Sequence, residues 1–435
     1  MASSSNLLFL SFFLFLTISQ TQAKTFRPKA LLLPVTKDSS SLQYTTQIKQ
    51  RTPLVPIKLT IDVGGNFMWV ACEGYVSSSY RPVPCGSKTC KISRSGVCVT
   101  QCPPPHRPGC HNNACSQLSY NPYTRISTLG EMAADAVSIQ STDGRSSGPM
   151  VFVPGLVFTC TSSTPSLLKG LSSGAKGIAG IGRSQISLTS QFASAFKFQR
   201  IFAVCLSSSS QSNGVIIFGN VPYEFQLKDV SNYLKYTPLI HNPRSTRRYY
   251  SKDDPSTDYF IRLTSIKING RAVPLNMSRL DIDKEGKGGT KISTVDPYTL
   301  MERSIFAAVL KVFMEETKGM TRVPSVNPFN YCISSKNLGS SRVGPPVPTI
   351  DLGLHDKSVT WRIFGANSMV QVKDDVLCLG FIDGGLNPRT SVVIGGYQLE
   401  DNLLQFDLVK RRLGFTSSLL FMQTTCANFN FTSSV

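Results

Sequence analysis

Asp62 is the first side chain in the sequence whose position suggests chemistry. It lies in TIDVGGNFMWVAC (60–72), between two apolar runs and beside Gly64 and Gly65. This order predicts a strand, a turn and a second strand. A carboxylate at such a turn can activate water if a second carboxylate shares its proton and donates it to the substrate. The question is therefore where a second acidic residue lies.

The elements that would position Asp62 are predicted to be strands. Short alternating or β-branched runs, separated by turn residues, dominate the chain and indicate an all-β protein. Helical periodicity is clear in two places, 186–196 and 302–318. We therefore expect a β fold with few short helices.

The chain is predicted to fold as two similar lobes. Its 435 residues are many for one hydrophobic core. An apolar strand ending in Gly occurs in each half, as GVIIFGN (214–220) and SVVIGGY (391–397). We place the first lobe at 24–231 and the second at 232–435.

Residues 1–23 predict a secretory signal peptide. They contain LLFLSFFLFL, which is too short to span a bilayer, and end with small residues that suit a cleavage site. They lack the usual basic residue, and a buried first helix is the alternative reading. We expect a soluble, secreted protein with no membrane partner.

The cysteines also indicate an oxidising compartment. Seven of the twelve fall between Cys72 and Cys115, with His106 and His111 among them. Such spacing can be mistaken for a zinc site. An even number in a secreted chain instead predicts six disulfides and no bound metal. Asn276 and Asn430 begin sequons and are predicted glycan acceptors.

The charge predicts attraction to polyanions. Lys and Arg outnumber Asp and Glu by 45 to 26, giving a formal net charge of +19. Acidic polysaccharide, membranes and nucleic acid are the polyanions that such a protein could adsorb to, and we expect acidic polysaccharide; a soluble basic surface without a specific partner is the alternative. Nucleic acid is disfavoured by the predicted secretion and by the scattered basic residues.

Other catalytic patterns are weak. GLSSG (170–174) matches the nucleophile motif of α/β-hydrolases, but it lies in a Ser/Gly-rich loop of a β protein with only four histidines. Asp374 and Asp375 are adjacent, so on a strand they would face opposite sides and could not form a pair. We find no phosphate-binding loop and no metal motif, and we predict no cofactor.

A resemblance follows from five segments in order: IDVGGNFMWVAC, AKGIAGIGRSQISLTSQ, GVIIFGN, STVDPYTLMERSIF and VVIGGYQLEDNLLQFDLVKRRLGF. Together they resemble the pepsin-like aspartic protease superfamily, which implies a bilobal β fold with a cleft. That superfamily carries a second Asp-Ser/Thr-Gly turn before a helix. The matching stretch here is Ser293-Thr294-Val295, and Asp296 is three residues too far along to substitute.

The resemblance therefore implies a degenerate site formed by Asp62 and Ser293. A serine hydroxyl has too high a pKa to share a proton with a carboxylate. Val63 and Gly65 also replace the hydroxyl residues that usually orient the first Asp. We expect no enzymatic activity, with Asp62 as a structural turn residue. A weak residual aspartic protease is an alternative.

Within the superfamily, the chain is similar to the plant extracellular dermal glycoprotein and xyloglucan-specific endoglucanase inhibitor group, and more distantly to basic globulins and xylanase inhibitors. Segments such as STDGRSSGPMV, NPRTSVVIGGYQLEDNLLQFDL and TTCANFNFTS carry this similarity. It implies a monomeric protein that binds and blocks family 12 glycoside hydrolases, the xyloglucanases of microbial pathogens. A cell-wall binding or signalling protein of the basic globulin type is a further alternative.

The resemblance also implies which residues act. In that group, two loops of the second lobe reach into the hydrolase cleft, each led by an arginine. The matching residues are Arg322 in MTRVPSVNPF and Arg389 in DGGLNPRTS. Guanidinium groups suit the catalytic carboxylates of a glycosidase, although both could be ordinary solvated arginines. The resemblance further implies disulfides between Cys332 and Cys378, Cys205 and Cys426, and Cys72 and Cys160.

Overall fold

The computed structural model describes residues 26–161, 165–246, 254–356 and 358–433. Residues 1–23, the predicted signal peptide, lie outside this range. The strands of the first half are β1 Ala30–Lys37, β2 Tyr44–Gln50, β3 Val55–Asp62, β4 Trp69–Ala71, β5 Arg81–Pro82, β6 Val97–Val99, β7 Ala114–Asn121, β8 Ile126–Thr142, β9 Ser146–Thr161, β10 Gly177–Gly180, β11 Ile201–Cys205, β12 Gly214–Phe218, β13 Glu224–Phe225 and β14 Lys228–Asp229.

The second half is also built mainly of strands. They are β15 Lys235–Ile240, β16 Tyr259–Ile261, β17 Leu263–Ile268, β18 Arg271–Ala272, β19 Thr290–Ile292, β20 Thr299–Met301, β21 Arg322–Val323, β22 Cys332–Ser334, β23 Ile350–Leu354, β24 Thr360–Ile363, β25 Met369–Lys373, β26 Val376–Leu379, β27 Phe381–Asp383, β28 Val392–Ile394, β29 Leu403–Asp407, β30 Arg412–Phe415 and β31 Asn430–Ser433. The predicted all-β class is confirmed.

The helices are few and short. They are α1 Lys88–Ile92, α2 Pro165–Leu168, α3 Leu188–Phe196, α4 Arg303–Glu316, α5 Gly365–Ser368 and α6 Gly396–Leu399, with 3₁₀ turns at Ser231–Tyr233, Met277–Arg279, Leu419–Met422 and Cys426–Asn428. The longer two, α3 and α4, correspond to the predicted helices 186–196 and 302–318. Both begin later than predicted because a polar cap precedes each. Ser187 caps α3, and the Glu302 carboxylate caps α4.

The two halves share a continuous sheet. Strand β11 pairs with β12 on one side and with β29 on the other, and β29 continues through β30 to β15. Across this junction the rings of Phe202 and Phe406 stack with centroids 4.6 Å apart, and Tyr259 packs on Phe406 at the same distance. The predicted boundary between 231 and 232 falls inside a 3₁₀ turn, and the division into two lobes stays a prediction.

All twelve cysteines are paired. The bonds Cys72–Cys160, Cys205–Cys426 and Cys332–Cys378 are the three that the resemblance implied. The other six cysteines pair within 85–115, as Cys85–Cys98, Cys90–Cys115 and Cys102–Cys110. In the described residues, no helix is long and apolar enough to cross a membrane.

Candidate functional site

Two turns, one from each half, meet at the centre of the molecule. The first follows β3, which runs parallel to β10 with Asp62 opposite Gly180. The second follows β19, which runs parallel to β28 with Ile292 opposite Ile394. The same arrangement of parallel strands therefore delivers Asp62 in one half and Ser293 in the other.

Thr294 joins the two turns. Its hydroxyl donates to the carbonyl of Ile61 (3.0 Å) and accepts from the amide of Val63 (3.1 Å). Val63, in the first turn, has no hydroxyl and so cannot make the equivalent hydrogen bonds to the second turn. The junction between the turns is therefore held by one side chain where two-fold symmetry would supply two.

The Ser293 hydroxyl is occupied within its own turn. It accepts from the amides of Val295 (3.1 Å) and Asp296 (3.2 Å), and it donates to the Asp296 carboxylate (2.8 Å). The sequence places Asp296 three residues too far along to substitute for a second catalytic Asp. In the structure the Asp296 carboxylate folds back onto Ser293 and accepts a hydrogen bond from its hydroxyl. The Ser-x-x-Asp spacing was the available signal.

Asp62 is buried. Tyr123, from the turn between β7 and β8, buries its hydroxyl oxygen, which has no hydrogen-bond partner in the part of the chain that the structure describes. Burial raises the pKa of the Tyr123 phenol, and the charges of Asp62 and Asp296 raise it further. Next to Asp62, between Phe67 and Tyr120, a cavity of about 10 Å³ remains, at or below the size that one water needs.

His106 and His111, which the sequence predicts not to bind metal, contact neighbouring side chains. The Nδ1 atom of His111 lies 3.0 Å from a carboxylate oxygen of Glu131, and the ring stacks on Tyr80. His106 packs beside His111. Within the described ranges, no group of three or more His, Cys, Asp and Glu side chains is arranged to hold a metal ion.

Arg389 lies on a loop fixed at both ends. The loop covers 384–391 and connects β27 to β28. At its start the Asp383 carboxylate accepts from the Gly385 amide (2.8 Å), and at its end the Arg389 carbonyl accepts from the Gly288 amide (2.9 Å). The Arg389 side chain itself is exposed. In the described residues it has one side-chain hydrogen bond, a long one of 3.5 Å from Nη2 to the Glu285 carbonyl.

The tip of this loop is apolar and conformationally restricted. Leu386 is 68% exposed. Asn387 has φ 50°, a left-handed conformation that asparagine tolerates. Pro388 fixes its own φ. The loop therefore presents a leucine and an arginine from a backbone with little freedom.

Arg322 lies at the start of a second exposed loop. It begins β21 and is exposed, with its guanidinium carbon 5.7 Å from the centroid of the Tyr331 ring. Both loops rest on one small cluster that surrounds the Cys332–Cys378 bond. Val323 and Phe329 contribute from the Arg322 loop, and Ile382 from the strand that precedes the Arg389 loop. The two predicted binding loops are therefore supported by the same hydrophobic cluster.

The predicted glycan acceptors are accessible. Asn276 and Asn430 are both exposed. The Oδ1 atom of Asn276 accepts from the hydroxyl of Ser278 (2.8 Å), and that of Asn430 accepts from the Thr432 amide (2.9 Å). Glycosylation at both sites stays a prediction.

The GLSSG motif forms no nucleophile site. Its central Ser172 is buried and donates to the Asp38 carboxylate (2.9 Å). Asp374 and Asp375 lie in the turn between β25 and β26, where Asp375 has φ 60°. Neither element contributes to the central turns.

Comparison with known proteins identifies the family. The protein-family model for the xylanase inhibitor N-terminal domain matches residues 44–220, and the family model for the C-terminal domain matches residues 258–417. A probable aspartic proteinase GIP2 of Nicotiana benthamiana is 56% identical over 97% of this chain and 96% of its own. Gamma conglutin 1 of Prunus dulcis is 44% identical over 96% of this chain and 94% of its own.

Solved structures agree with these relatives. The crystal structure of edgp matches with a TM-score of 0.91 and 54% identity, covering 94% of this chain and all of that one (100%). The crystal structure of basic 7S globulin from soybean matches with a TM-score of 0.80 and 35% identity, covering 92% and 98%. The chain therefore belongs to the family of xylanase-inhibitor type, a pepsin-like family that also includes the gamma conglutins and basic 7S globulins.

Proposed function

We propose that this protein is a secreted, non-proteolytic inhibitor of family 12 glycoside hydrolases that degrade xyloglucan. The observation that carries the proposal is the exposed guanidinium of Arg389 on a loop pinned at both ends. The family description names inhibition of xylanases, and it supports a glycoside hydrolase as the target.

The central turns support the absence of proteolysis. Ser293 stands where a second catalytic carboxylate would be needed, and its hydroxyl is engaged by its own turn. Asp62 is 4% exposed and accepts from the Gly64 amide (3.0 Å). The cavity beside it measures about 10 Å³, at or below the size that one water needs. These features support the absence of a proton-sharing pair of carboxylates that a substrate could reach.

Arg389 suits the catalytic groove of a glycosidase. Such enzymes cleave with two carboxyl groups about 5 to 9.5 Å apart. A guanidinium is permanently charged and offers a planar fork of donors to a carboxylate. Because the loop is already fixed by its own hydrogen bonds, little conformational entropy is lost on binding. Leu386, beside it, would cover apolar surface at the groove.

Arg322 is proposed as the second contact. Its loop shares the hydrophobic base of the Arg389 loop, so both can face one partner. Its guanidinium lies near the Tyr331 ring. This contact holds the Arg322 side chain less firmly than the hydrogen bonds at both ends hold the backbone of the Arg389 loop. We assign it the smaller contribution.

The proposed location is the plant extracellular space. Residues 1–23 predict a signal peptide, and six disulfides are typical of secreted proteins. The exposed sequons at Asn276 and Asn430 would be glycosylated on that route. We propose a monomer in which one molecule blocks one hydrolase.

The test is titration of a purified family 12 xyloglucanase with the full secreted protein. We expect near-stoichiometric loss of xyloglucan hydrolysis and no effect on a glycosidase of unrelated fold assayed in parallel. Full activity at a several-fold molar excess of the protein would overturn the proposal. That outcome, together with no proteolysis, would favour a cell-wall binding or signalling protein.

A further inference from the structure

We propose that a cationic pocket between the two halves of the chain binds a short acidic oligosaccharide built of uronic acid units. The cationic pocket is defined by Arg94, Arg183, Arg200, His241 and Arg411. It is separate from the loops of Arg322 and Arg389, so the proposal does not depend on hydrolase inhibition.

The pocket has the size of a small-ligand site. Its volume is about 390 Å³, within the range of roughly 300 to 1,000 Å³ that ligand pockets occupy. The first half of the chain contributes 66–67, 92–94 and 183–186, and the second half contributes 254–257 and Arg411. It lies beside the Asp62 turn, since the Thr257 hydroxyl donates to the Gly64 carbonyl (2.8 Å).

Its charge is strongly unbalanced. Four arginines line it, against one lining carboxylate in the described residues, that of Asp254. The Arg94–Asp254 contact is long, at 3.9 Å, and Arg94 is exposed while Asp254 is partly exposed. The nearby Asp258 carboxylate lies 3.8 Å from Lys291. The lining therefore carries a net charge of about +3 at neutral pH, a field that selects anions.

The arginines are close enough to repel one another. Burial lowers the pKa of the Arg183 guanidinium, and the charges of Arg200 and Arg411 lower it further. Partial desolvation and three neighbouring arginines likewise lower the pKa of His241. Like charges converging in this way are destabilising unless an anion offsets them. A bound carboxylate would relieve the repulsion.

Arg183 is positioned by the backbone. Its amide donates to the Thr257 carbonyl (3.0 Å), and its Nη1 atom donates to the Ile240 carbonyl (3.0 Å). These bonds hold a half-buried guanidinium in the wall, where its other donors can reach a ligand. A fixed guanidinium with remaining donors is suited to carboxylate recognition.

The rest of the lining favours a sugar over a bare inorganic anion. The side-chain amides of Asn66, Gln117 and Gln185 line the pocket and can exchange hydrogen bonds with several ring hydroxyls. Phe67 offers an apolar surface of the kind on which a pyranose face can pack. A site for phosphate or sulfate alone would need neither the volume nor these groups.

Calorimetric titration of the full-length protein with galacturonic acid oligomers of two to six units, at 0.15 M salt, tests the proposal. We expect saturable one-to-one binding that strengthens with oligomer length. Fully methyl-esterified oligomers, which carry no charge, should bind at least tenfold more weakly. Inorganic phosphate and a short single-stranded oligonucleotide serve as the competing anions.

Variants locate the site. Arg200→Gln and Arg411→Gln each remove one charged hydrogen-bonding group and should weaken binding about tenfold or more. Arg145→Gln, an exposed arginine that contacts Glu224 outside the pocket, should bind like the parent. All three variants should still inhibit the xyloglucanase, so failure here and failure of the proposed function are distinguishable.

His241 supplies an independent readout. A bound carboxylate should raise the pKa of the His241 imidazole, which NMR titration of histidine-labelled protein can follow. The resonance of His355, which lies outside the pocket, should not change when the oligomer binds. The proposal is overturned if esterified oligomers bind equally well, if phosphate or the oligonucleotide binds as tightly as the uronic oligomers, or if Arg200→Gln and Arg411→Gln match the Arg145→Gln control.

Discussion

The Ser293 hydroxyl donates to the Asp296 carboxylate across 2.8 Å, while the amides of Val295 and Asp296 donate to the same hydroxyl. A second carboxylate therefore lies in the turn that follows β19, next to Ser293. Its acceptor oxygen is already engaged by Ser293. Proximity alone does not give it the partner or the proton-sharing geometry that peptide hydrolysis needs.

We predict that no cleavage depends on either acid. The purified protein is incubated with acid-denatured substrate from pH 2 to 6, with and without a transition-state analogue of peptide hydrolysis. The parent, Asp62→Asn and Asp296→Asn should give the same background. Analogue-sensitive cleavage that vanishes in both variants would show that Asp62 and Asp296 act as a pair, and the non-proteolytic assignment would be wrong.

Much of the fold could be predicted from local patterns, but boundaries depended on side-chain chemistry. Ile186 fits the apolar periodicity of α3, yet it precedes the Ser187 cap and lies outside the helix. At the other helix the periodic pattern runs through Thr317, whose hydroxyl instead bonds the Phe313 carbonyl (2.7 Å) and ends α4. Periodicity reports burial, whereas caps decide where the backbone bonds stop.

The site was only partly predictable, for a different reason. Asp62 could be picked out from its own short pattern, and Ser293 from the resemblance that aligns it with a second turn before a helix. Arg183, Arg200 and Arg411 meet in one pocket from segments far apart in sequence, and no local signal joins them. Likewise, nothing near Tyr123 in the sequence indicates that the charges of Asp62 and Asp296 raise the pKa of its phenol.

Glu400 is predicted to make stability depend on pH. Its carboxylate contacts the Tyr44 hydroxyl (2.6 Å) and Lys37 Nζ (2.7 Å), and it is buried. Burial raises its pKa to about 7, and this effect outweighs the opposing charge of Lys37. As pH rises, the unfolded state releases this proton near the ordinary carboxyl pKa of 4.5, whereas the folded state keeps it up to a higher pH. Stability from this group is present below the unfolded pKa and falls as pH rises toward the folded one.

The comparison of Glu400→Gln with the parent isolates this effect. At about 1.4 kcal/mol per pKa unit, the parent should lose roughly 3 kcal/mol relative to the variant between pH 4.5 and 7.5. Denaturant unfolding at several pH values measures the difference. Parallel pH profiles for the two proteins would mean that Glu400 is ionised throughout and that burial does not control its pKa.

The Cys205–Cys426 bond should contribute more stability than the Cys102–Cys110 bond. Their sequence separations are 221 and 8 residues. In the chain-entropy description, closing the longer loop restricts the unfolded chain by about 3 kcal/mol more. The double variants Cys205→Ala/Cys426→Ala and Cys102→Ala/Cys110→Ala are compared by denaturant midpoint. A larger loss from the short loop would contradict the entropic ranking.

Arg389 should carry more of the inhibition than any other single residue. If its guanidinium enters the hydrolase groove, the complex excludes water from a charged pair. Removing one partner of such a pair costs roughly 2 to 5 kcal/mol, partly because the carboxylates are left desolvated. At about 1.4 kcal/mol per tenfold, Arg389→Ala should raise the inhibition constant on the order of 30- to several thousand-fold.

The matched set is Arg389→Ala, Arg389→Lys, Arg322→Ala and Arg145→Ala, measured on one xyloglucanase. Lysine should restore part of the affinity, because an ammonium keeps the charge but not the planar fork of donors. Arg322→Ala should have the smaller effect, and Arg145→Ala should match the parent. An arginine at the rim would change mainly the association rate, and only at low salt. An Arg389→Ala inhibition constant equal to that of Arg145→Ala would place the contact elsewhere on the protein.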